Sequence, residues 1–483
     1  MKRDTVLGII GIIISIGIPL ISEVLRMRSI ATYKEFKESN IRLLIPLLKQ
    51  VEAMHQSAIH NGSIEEWHKF ELAINRLDAY LANTTSYEYL HQIITSEIIT
   101  DNSDLLELEE LYTLYKRRQV SISTLNEIVN LSLSIERKFN NQCKECYNDS
   151  KEIETDVLRL VKLRNKLGNE LGYENYHTMS LILNKQDPEE IFNFIDLVQL
   201  QTKSIYHKIK KEIDQSLSQH YNISKSNLKI NHYHFFDWDG YYEGKSVKEI
   251  AIGFIESIGF DIDIKDSHTY SNNEEGMKAI LYDIGYSIYT KYIPSTLPYL
   301  LRKPSHPLVA ESIAMLFQRQ ILHFPKQRNK TVNRIYVFNK LAYSRWIIAL
   351  YNFERSLYYN PEQDLNKLWL TTIEHYLLIK TYNTSWVAVK DFVMNPCYVH
   401  NHLFSQILAS QLNHYISTQV LKDKELYVNY YGRKEVGEYL KEVIFCVGKL
   451  LNLDELIVNA TSKVLTPEFY MNEINLALTL LRS

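Results

Sequence analysis

Residues 279–293 read A-I-L-Y-D-I-G-Y-S-I-Y-T-K-Y-I, Ala279 to Ile293. On a helix, Tyr282 and Tyr286 stand four positions apart and share one face about a turn from each other, with Asp283 beside the first. Whether that face carries chemistry decides what kind of protein this is. The surrounding composition supports the helix. The 483-residue chain holds only 15 glycines and 11 prolines and is rich in Leu, Ile, Lys and Glu, a mixture that favours a mainly α fold. A chain this long buries a large core and has room for two or three domains. Its net charge of −3 gives no basic footprint for nucleic acid.

The N-terminus departs from the rest. Met1-Lys2-Arg3 precedes an uncharged apolar run from Thr5 to Ser22. As a helix the run approaches bilayer thickness, which fits residues 1–25 as a signal peptide or an N-terminal membrane anchor. No clean small-x-small cleavage site follows. An uncleaved anchor with an exported body (periplasmic or otherwise extracytoplasmic in a bacterium) is the first expectation, and cleavage the second. An apolar helix packed on the domain is the remaining alternative. Residues 26–150 form an N-terminal helical subregion, broken at His60-Asn61-Gly62-Ser63 and Thr100-Asp101-Asn102-Ser103; Ser63 with Glu66 makes a capping box. Residues 151–483 continue as one large helical domain. They are interrupted by a β-like break from Lys229 to Tyr242 and a turn-rich one from Asp261 to Asn273. Cys143 and Cys146 form a lone C-K-E-C, too little for a zinc or redox site and at most a local disulfide in an exported chain. Cys397 and Cys446, in apolar surroundings, read as core.

Two histidines at the spacing of Tyr282 and Tyr286 would bind one zinc ion, with an adjacent Glu as general base. The third ligand would be a carboxylate from a following helix. Glu311 lies 25 positions after Tyr286, inside the apolar run Val309 to Leu316. A Glu there is either a ligand or a buried hydrogen-bonded or ion-paired group. The longer passage from Gly276 to Phe317, G-M-K-A-I-L-Y-D-I-G-Y-S-I-Y-T-K-Y-I-P-S-T-L-P-Y-L-L-R-K-P-S-H-P-L-V-A-E-S-I-A-M-L-F, resembles the active-site region of the helical gluzincin zinc peptidases. These are the peptidyl-dipeptidase A (angiotensin-converting enzyme-like) and thimet oligopeptidase group, and the bacterial branch is most similar. L-R-N-K-L-G-N-E-L-G-Y-E-N-Y (Leu163–Tyr176), F-D-W-D-G-Y-Y-E-G-K-S-V-K-E-I-A (Phe236–Ala251) and the stretch from Leu341 to Trp369 resemble the group as well. So do G-R-K-E-V-G-E-Y-L-K-E-V-I-F and L-T-P-E-F-Y near the C-terminus, so the resemblance runs from about Glu152 to Ser483. It implies a large helical ellipsoid with a deep central channel and a minor β element near Lys229–Tyr242.

In that group the helix reads H-E-L-G-H. Tyr282 and Tyr286 therefore fall on the two zinc histidines, Asp283 on the catalytic glutamate and Glu311 on the glutamate ligand. A phenol with pKa near 10 is a poor zinc ligand at neutral pH, and Asp283 is a methylene shorter than the base it replaces. Asp391 stands where the group has a His that steadies the tetrahedral intermediate, an acceptor in place of a donor. The group's tyrosine-rich P-V-Y-Y-H-N element keeps Tyr398, His400 and Asn401 as cleft residues but has Val399 for one Tyr. Only Asp261 to Glu275 is available for the strand-forming edge that precedes the zinc helix in the group. These losses strike the same chemistry, because without zinc there is no activated water and no polarised carbonyl. The expectation is a catalytically inactive pseudopeptidase with no cofactor, the group's zinc being lost. Its vestigial catalytic positions are Asp283, Asp391, Tyr398 and His400, and its vestigial metal positions Tyr282, Tyr286 and Glu311. It would bind a peptide or protein ligand in the cleft, meet a membrane through its N-terminal segment and bind no nucleic acid. The alternative is an active oligopeptidase or peptidyl-dipeptidase-like metallohydrolase with a rebuilt site.

Other candidates weigh less. His232 and His234 would point to one side of a strand and could replace a metal pair, but read first as surface or satisfied core. His400 and His402, two apart, diverge on a helix. Glu354 and Arg355 read as a structural ion pair, and Trp346, Trp369 and Trp386 as core.

Overall fold

The computed structural model describes residues 2–141, 151–229, 232–233, 246–262, 270–323, 330–380, 385–423 and 428–479. The side chains at 2–22, 24, 61, 140–141, 322–323 and 330–333 lie outside that description. Cys143, Cys146 and His234 also lie outside it. The described residues form α-helices joined by short turns, with no β-strand among them, so the mainly α expectation holds. Of the β-like stretch, only Lys229, His232 and Tyr233 are described. Among these, the His232 N–H donates to the Lys229 carbonyl at 3.0 Å, and the Lys229 N–H donates to His232 Nδ1 at 2.8 Å. Among the described residues no helix is long and apolar enough to cross a membrane; the side chains of Thr5–Ser22 are not among them.

Two compact units emerge. The first comprises Met1–Leu133 with Pro298–Leu301, and the second Ser134–Leu297 with Arg302–Ser483. The first unit contains α1 (Lys2–Asn61), α2 (Ile64–Leu81), α3 (Thr84–Thr95), α4 (Asn102–Lys116) and the start of α5 (Ile122–Asn141). Side-chain caps start its helices: Ser63, Asn83 and Asp101 each accept a backbone N–H from three residues on, a contribution of about 1 kcal/mol each. Only half of the Ser63–Glu66 capping box forms, because the Glu66 carboxylate is drawn away to Ser57 Oγ and Lys69. Tyr33, Leu44, Leu77, Leu81, Leu108 and Leu111 are buried together. The buried Asn40 joins three helices, its Oδ1 accepting from Tyr80 and Tyr115 at 2.8 and 2.6 Å.

The second unit holds α6 (Lys151–Glu170), α7 (Tyr176–Leu183), α8 (Pro188–Tyr221), α9 (Val247–Ser257), α10 (Glu274–Tyr292), α11 (Pro307–Gln318), α12 (Lys330–Tyr359), α13 (Leu365–Leu377), α14 (Asp391–Met394), α15 (His400–Tyr415), α16 (Lys434–Tyr439), α17 (Leu453–Thr461) and α18 (Glu468–Thr479). Its aromatic core is built where expected. Trp346 meets Trp369 edge-on at 5.8 Å, and Phe353 packs against Trp369, Trp386 and Phe392 at 5.1 to 5.7 Å. Cys397 is a buried free thiol, and Cys446 is free and half-buried.

The Glu354–Arg355 ion pair does not form. Adjacent helical residues point apart. The Glu354 carboxylate turns inward to accept the Cys397 N–H at 2.7 Å, while the Arg355 guanidinium lies 4.6 Å from the Phe192 ring centre. Burial pushes the Glu354 carboxyl up to about 8, so at neutral pH it is mostly a neutral acid.

A close approach fixes the pair of helices that matters most. A Cβ on Gly285 of α10 would lie 2.7 Å from Ala314 Cα and 3.1 Å from the Ile313 carbonyl oxygen of α11. Those are backbone atoms and cannot swing aside. Gly285→Ala gains up to about 1 kcal/mol of helix propensity but loses about 1–3 kcal/mol to overpacking, a net destabilisation on the order of 1–2 kcal/mol. In α9, Gly253 has nothing within 4 Å of such a Cβ, so Gly253→Ala stabilises by about 0.5–1 kcal/mol. Urea unfolding of the two variants should move the midpoint in opposite directions; the same sign for both would remove this account of the contact.

Candidate functional site

Helix α10 begins at Asn273, whose side chain accepts the Gly276 N–H at 3.0 Å. Helix α11 begins at His306, whose Nδ1 accepts the Leu308 N–H at 3.2 Å, with Pro307 in the first helical position. Proline suits that position because its missing N–H would have no helical partner. The Gly285 contact then brings Tyr282 and Tyr286 beside Glu311.

A third element closes on them. The chain ahead of α15 is held by Arg164, which is buried and donates to the Phe392 and Val393 carbonyls at 2.9 and 2.6 Å and to the Tyr358 hydroxyl at 3.2 Å. At Cys397 the backbone turns left-handed, with φ of 62°, an uncommon state for a residue with a side chain. The bond from its N–H to Glu354 holds it there. Tyr398, next in the chain, then reaches Glu311.

Glu311 is only 6% exposed, and both of its oxygens are occupied. The Tyr398 hydroxyl donates to Oε1 at 2.7 Å, and His402 Nδ1 lies 2.9 Å from Oε2. Ser405 Oγ, which donates to the Leu308 carbonyl at 2.9 Å, is 3.4 Å from the same Oε2. The carboxylate can only accept, so the imidazole carries its proton on Nδ1. Burial alone would lower the His402 pKa; the bond to Glu311 outweighs it, with Asp391 adding to the effect, and raises it above 6.5. The contact thus favours the protonated imidazole.

The tyrosines respond in the opposite sense. Burial and then the Glu311 charge raise the hydroxyl pKa of Tyr282 and Tyr286 above 10. The same two causes act on Tyr398 and on Tyr343 of α12, with Asp391 a third cause at Tyr343. None of the four is a phenolate at neutral pH.

The structure thus gathers Tyr282, Tyr286, Glu311 and Tyr398, with Asp391 near enough to act on Tyr343 and His402. It does not gather the rest. Asp283 is exposed and accepts from Tyr270 at 2.8 Å. His400 and Asn401 are buried and turned to Gln186. Gln186 Nε2 donates to Asn401 Oδ1 at 2.9 Å, and its Oε1 lies 3.1 Å from His400 Nε2. Since Oε1 can only accept, His400 Nε2 carries the proton, and Nδ1 is left buried without a partner. Burial, together with His177, His306 and His402, holds His400 well below 6.5, so it is neutral. His402, Ser405 and Tyr343 were missed from the sequence. A signal was present: Tyr398, His402 and Ser405 follow the i, i+4, i+7 spacing of one helical face.

These donors do not fit a zinc ion. Zinc takes deprotonated sulfur, neutral imidazole or carboxylate, commonly three or four together. Here two positions offer protonated phenols, and the carboxylate is already engaged by a phenol and an imidazolium-like ring. Among the described residues no group of three or more His, Cys, Asp or Glu side chains is gathered as a metal ligand set would be.

No family model matches the sequence, and no curated protein matches it. Among solved structures, the fold is similar to one titled "BsuCP Crystal Structure", with a TM-score of 0.65 at 14% identity over 92% of this chain and 99% of that one. The likeness concerns the fold alone and agrees with the mainly helical reading.

Proposed function

We propose that this chain is a non-hydrolytic relative of the helical zinc peptidases, in which the metal site has become a hydrogen-bonded carboxylate and the old cleft binds a peptide or protein. The observation that carries this reading is the double occupation of Glu311 by Tyr398 and His402. In the resembling group that position supplies a metal ligand. Here its charge is balanced by protein groups, so the fold needs no cation to tolerate a buried carboxylate. The other residues point the same way. Asp283 is engaged by Tyr270 at the surface, and Asp391 presents an acceptor where a donor would be required to stabilise a developing oxyanion. The apolar run Thr5–Ser22 would deliver the body to, or across, a membrane.

The test is zinc content together with cleavage. Protein purified from zinc-supplied medium and dialysed should retain far less than one zinc per chain. It should release no product from a mixed library of short peptides, with or without chelator. Stoichiometric zinc with chelator-sensitive cleavage would replace this reading by the active metallohydrolase.

A further inference from the structure

The surroundings of Glu311 are unusual in a second respect. Tyrosines come to it from three elements: Tyr282 and Tyr286 from one face of α10, Tyr343 from α12, and Tyr398 from the turn before α15. Two of them remain open to solvent, Tyr286 at 44% and Tyr343 at 38% exposure. The Tyr398 ring stands nearly perpendicular to the His402 ring, 82° at a centroid distance of 5.4 Å, so one tyrosine already packs edge-on against an imidazole of the protein itself. Among the described residues, the Glu311 charge acts on all four tyrosines, that of Asp391 on Tyr343 and that of Asp283 on Tyr282. Aromatic faces beside a carboxylate of low exposure attract organic cations, because the ring quadrupole and the anion act in the same direction.

We propose that Tyr282, Tyr286, Tyr343 and Tyr398, gathered around Glu311, form an aromatic cage for the side-chain cation of an arginine or lysine in an extended peptide. This rests on the reading of the cleft as a metal-free peptide site and names the ligand class. Both Glu311 oxygens are taken, so the carboxylate acts through its field, while the partly exposed Tyr286 and Tyr343 make the contact. A flat guanidinium matches such faces better than a compact ammonium, so arginine is preferred.

The test is calorimetric titration of the full chain with acetyl-Gly-Arg-Gly-amide, against the Gly-Gly-Gly and Gly-Glu-Gly counterparts. The arginine peptide should bind about tenfold more tightly than either. Tyr286→Ala with Tyr343→Ala should abolish that preference. Both substitutions are at partly exposed positions, and a circular dichroism spectrum matching the parent establishes that the variant is folded. Glu311→Gln should weaken binding of the arginine peptide. Equal binding of the three peptides, no binding of any, or a preference that survives the double substitution would overturn the cage. None of these outcomes touches the metal-free reading, which fails separately through stoichiometric zinc and cleavage.

Discussion

Glu473→Gln should destabilise the second unit by about 3–5 kcal/mol at neutral pH, a large share of the stability of an ordinary domain. Glu473 lies in α18 and is buried. Its Oε2 accepts from Arg319 at 3.0 Å and from Ser410 at 2.7 Å and lies 2.7 Å from Lys340 Nζ, while its Oε1 accepts from Tyr336 at 2.9 Å. One carboxylate serves two cations. Burial and the Arg319 charge push the Lys340 ammonium down to about 7, so Lys340 is the weaker partner and Arg319 the firm one. Burial alone would raise the Glu473 pKa; the Arg319 and Lys340 charges outweigh it and hold it near 2. The amide keeps the shape but removes the negative charge that faces Arg319 and Lys340. Because the folded-state pKa of Glu473 is depressed, its contribution is full above the ordinary value of 4.5 and fades as pH falls towards 2. Urea unfolding at several pH values should show a stability gap between parent and variant that widens as pH falls through about 7, where Lys340 gains its proton beside the carboxylate, and narrows again in acid below 4.5 as Glu473 is protonated. A gap under 1 kcal/mol at pH 7 would show that the network contributes little.

Introducing zinc ligands at these positions should have a comparably large effect on a different observable. Tyr282→His, Asp283→Glu and Tyr286→His together should raise bound zinc from well below one per chain towards one. The cost is the release of Glu311 from Tyr398 and His402, about 1.5–3 kcal/mol for each hydrogen bond to a charged group. Structural zinc sites recover on the order of 10 kcal/mol or more, so the metal wins. Metal analysis after dialysis, with a circular dichroism spectrum to establish that the helices persist, reads the result. Peptide hydrolysis should stay absent in this variant, since Asp391 still opposes an oxyanion. Persistently low zinc in a folded variant would mean that Glu311 is not free to turn.

The helices were legible in the sequence because the signals are local: few breakers, caps such as Ser63 and Asp101, and a regular apolar spacing. The partial capping box at Glu66 and the divergence of Glu354 from Arg355 were not. Each depends on a competing partner, Ser57 and Lys69 for Glu66, or on a side-chain direction, which a motif read along the chain does not reveal. At the candidate site, the spacing of Tyr282, Tyr286 and Glu311 named residues that the structure brings together. His402 escaped because it was weighed against His400, two positions away, and not against Tyr398, one turn away. The partner that gives His402 its character, Glu311, is 91 positions distant, and no local pattern links them. The neutral, buried state of His400 likewise depends on Gln186, a contact spanning 214 positions.

The two donors on Glu311 also set a direction for sequence change. While Tyr398 and His402 hold that carboxylate, a single histidine appearing at 282 or 286 meets one weak ligand and an occupied one, so it loses ring packing and gains no chelation. Only the joint change crosses that valley. This arrangement therefore sits behind a gate: stepwise substitution has no favourable path to a metal site at these positions.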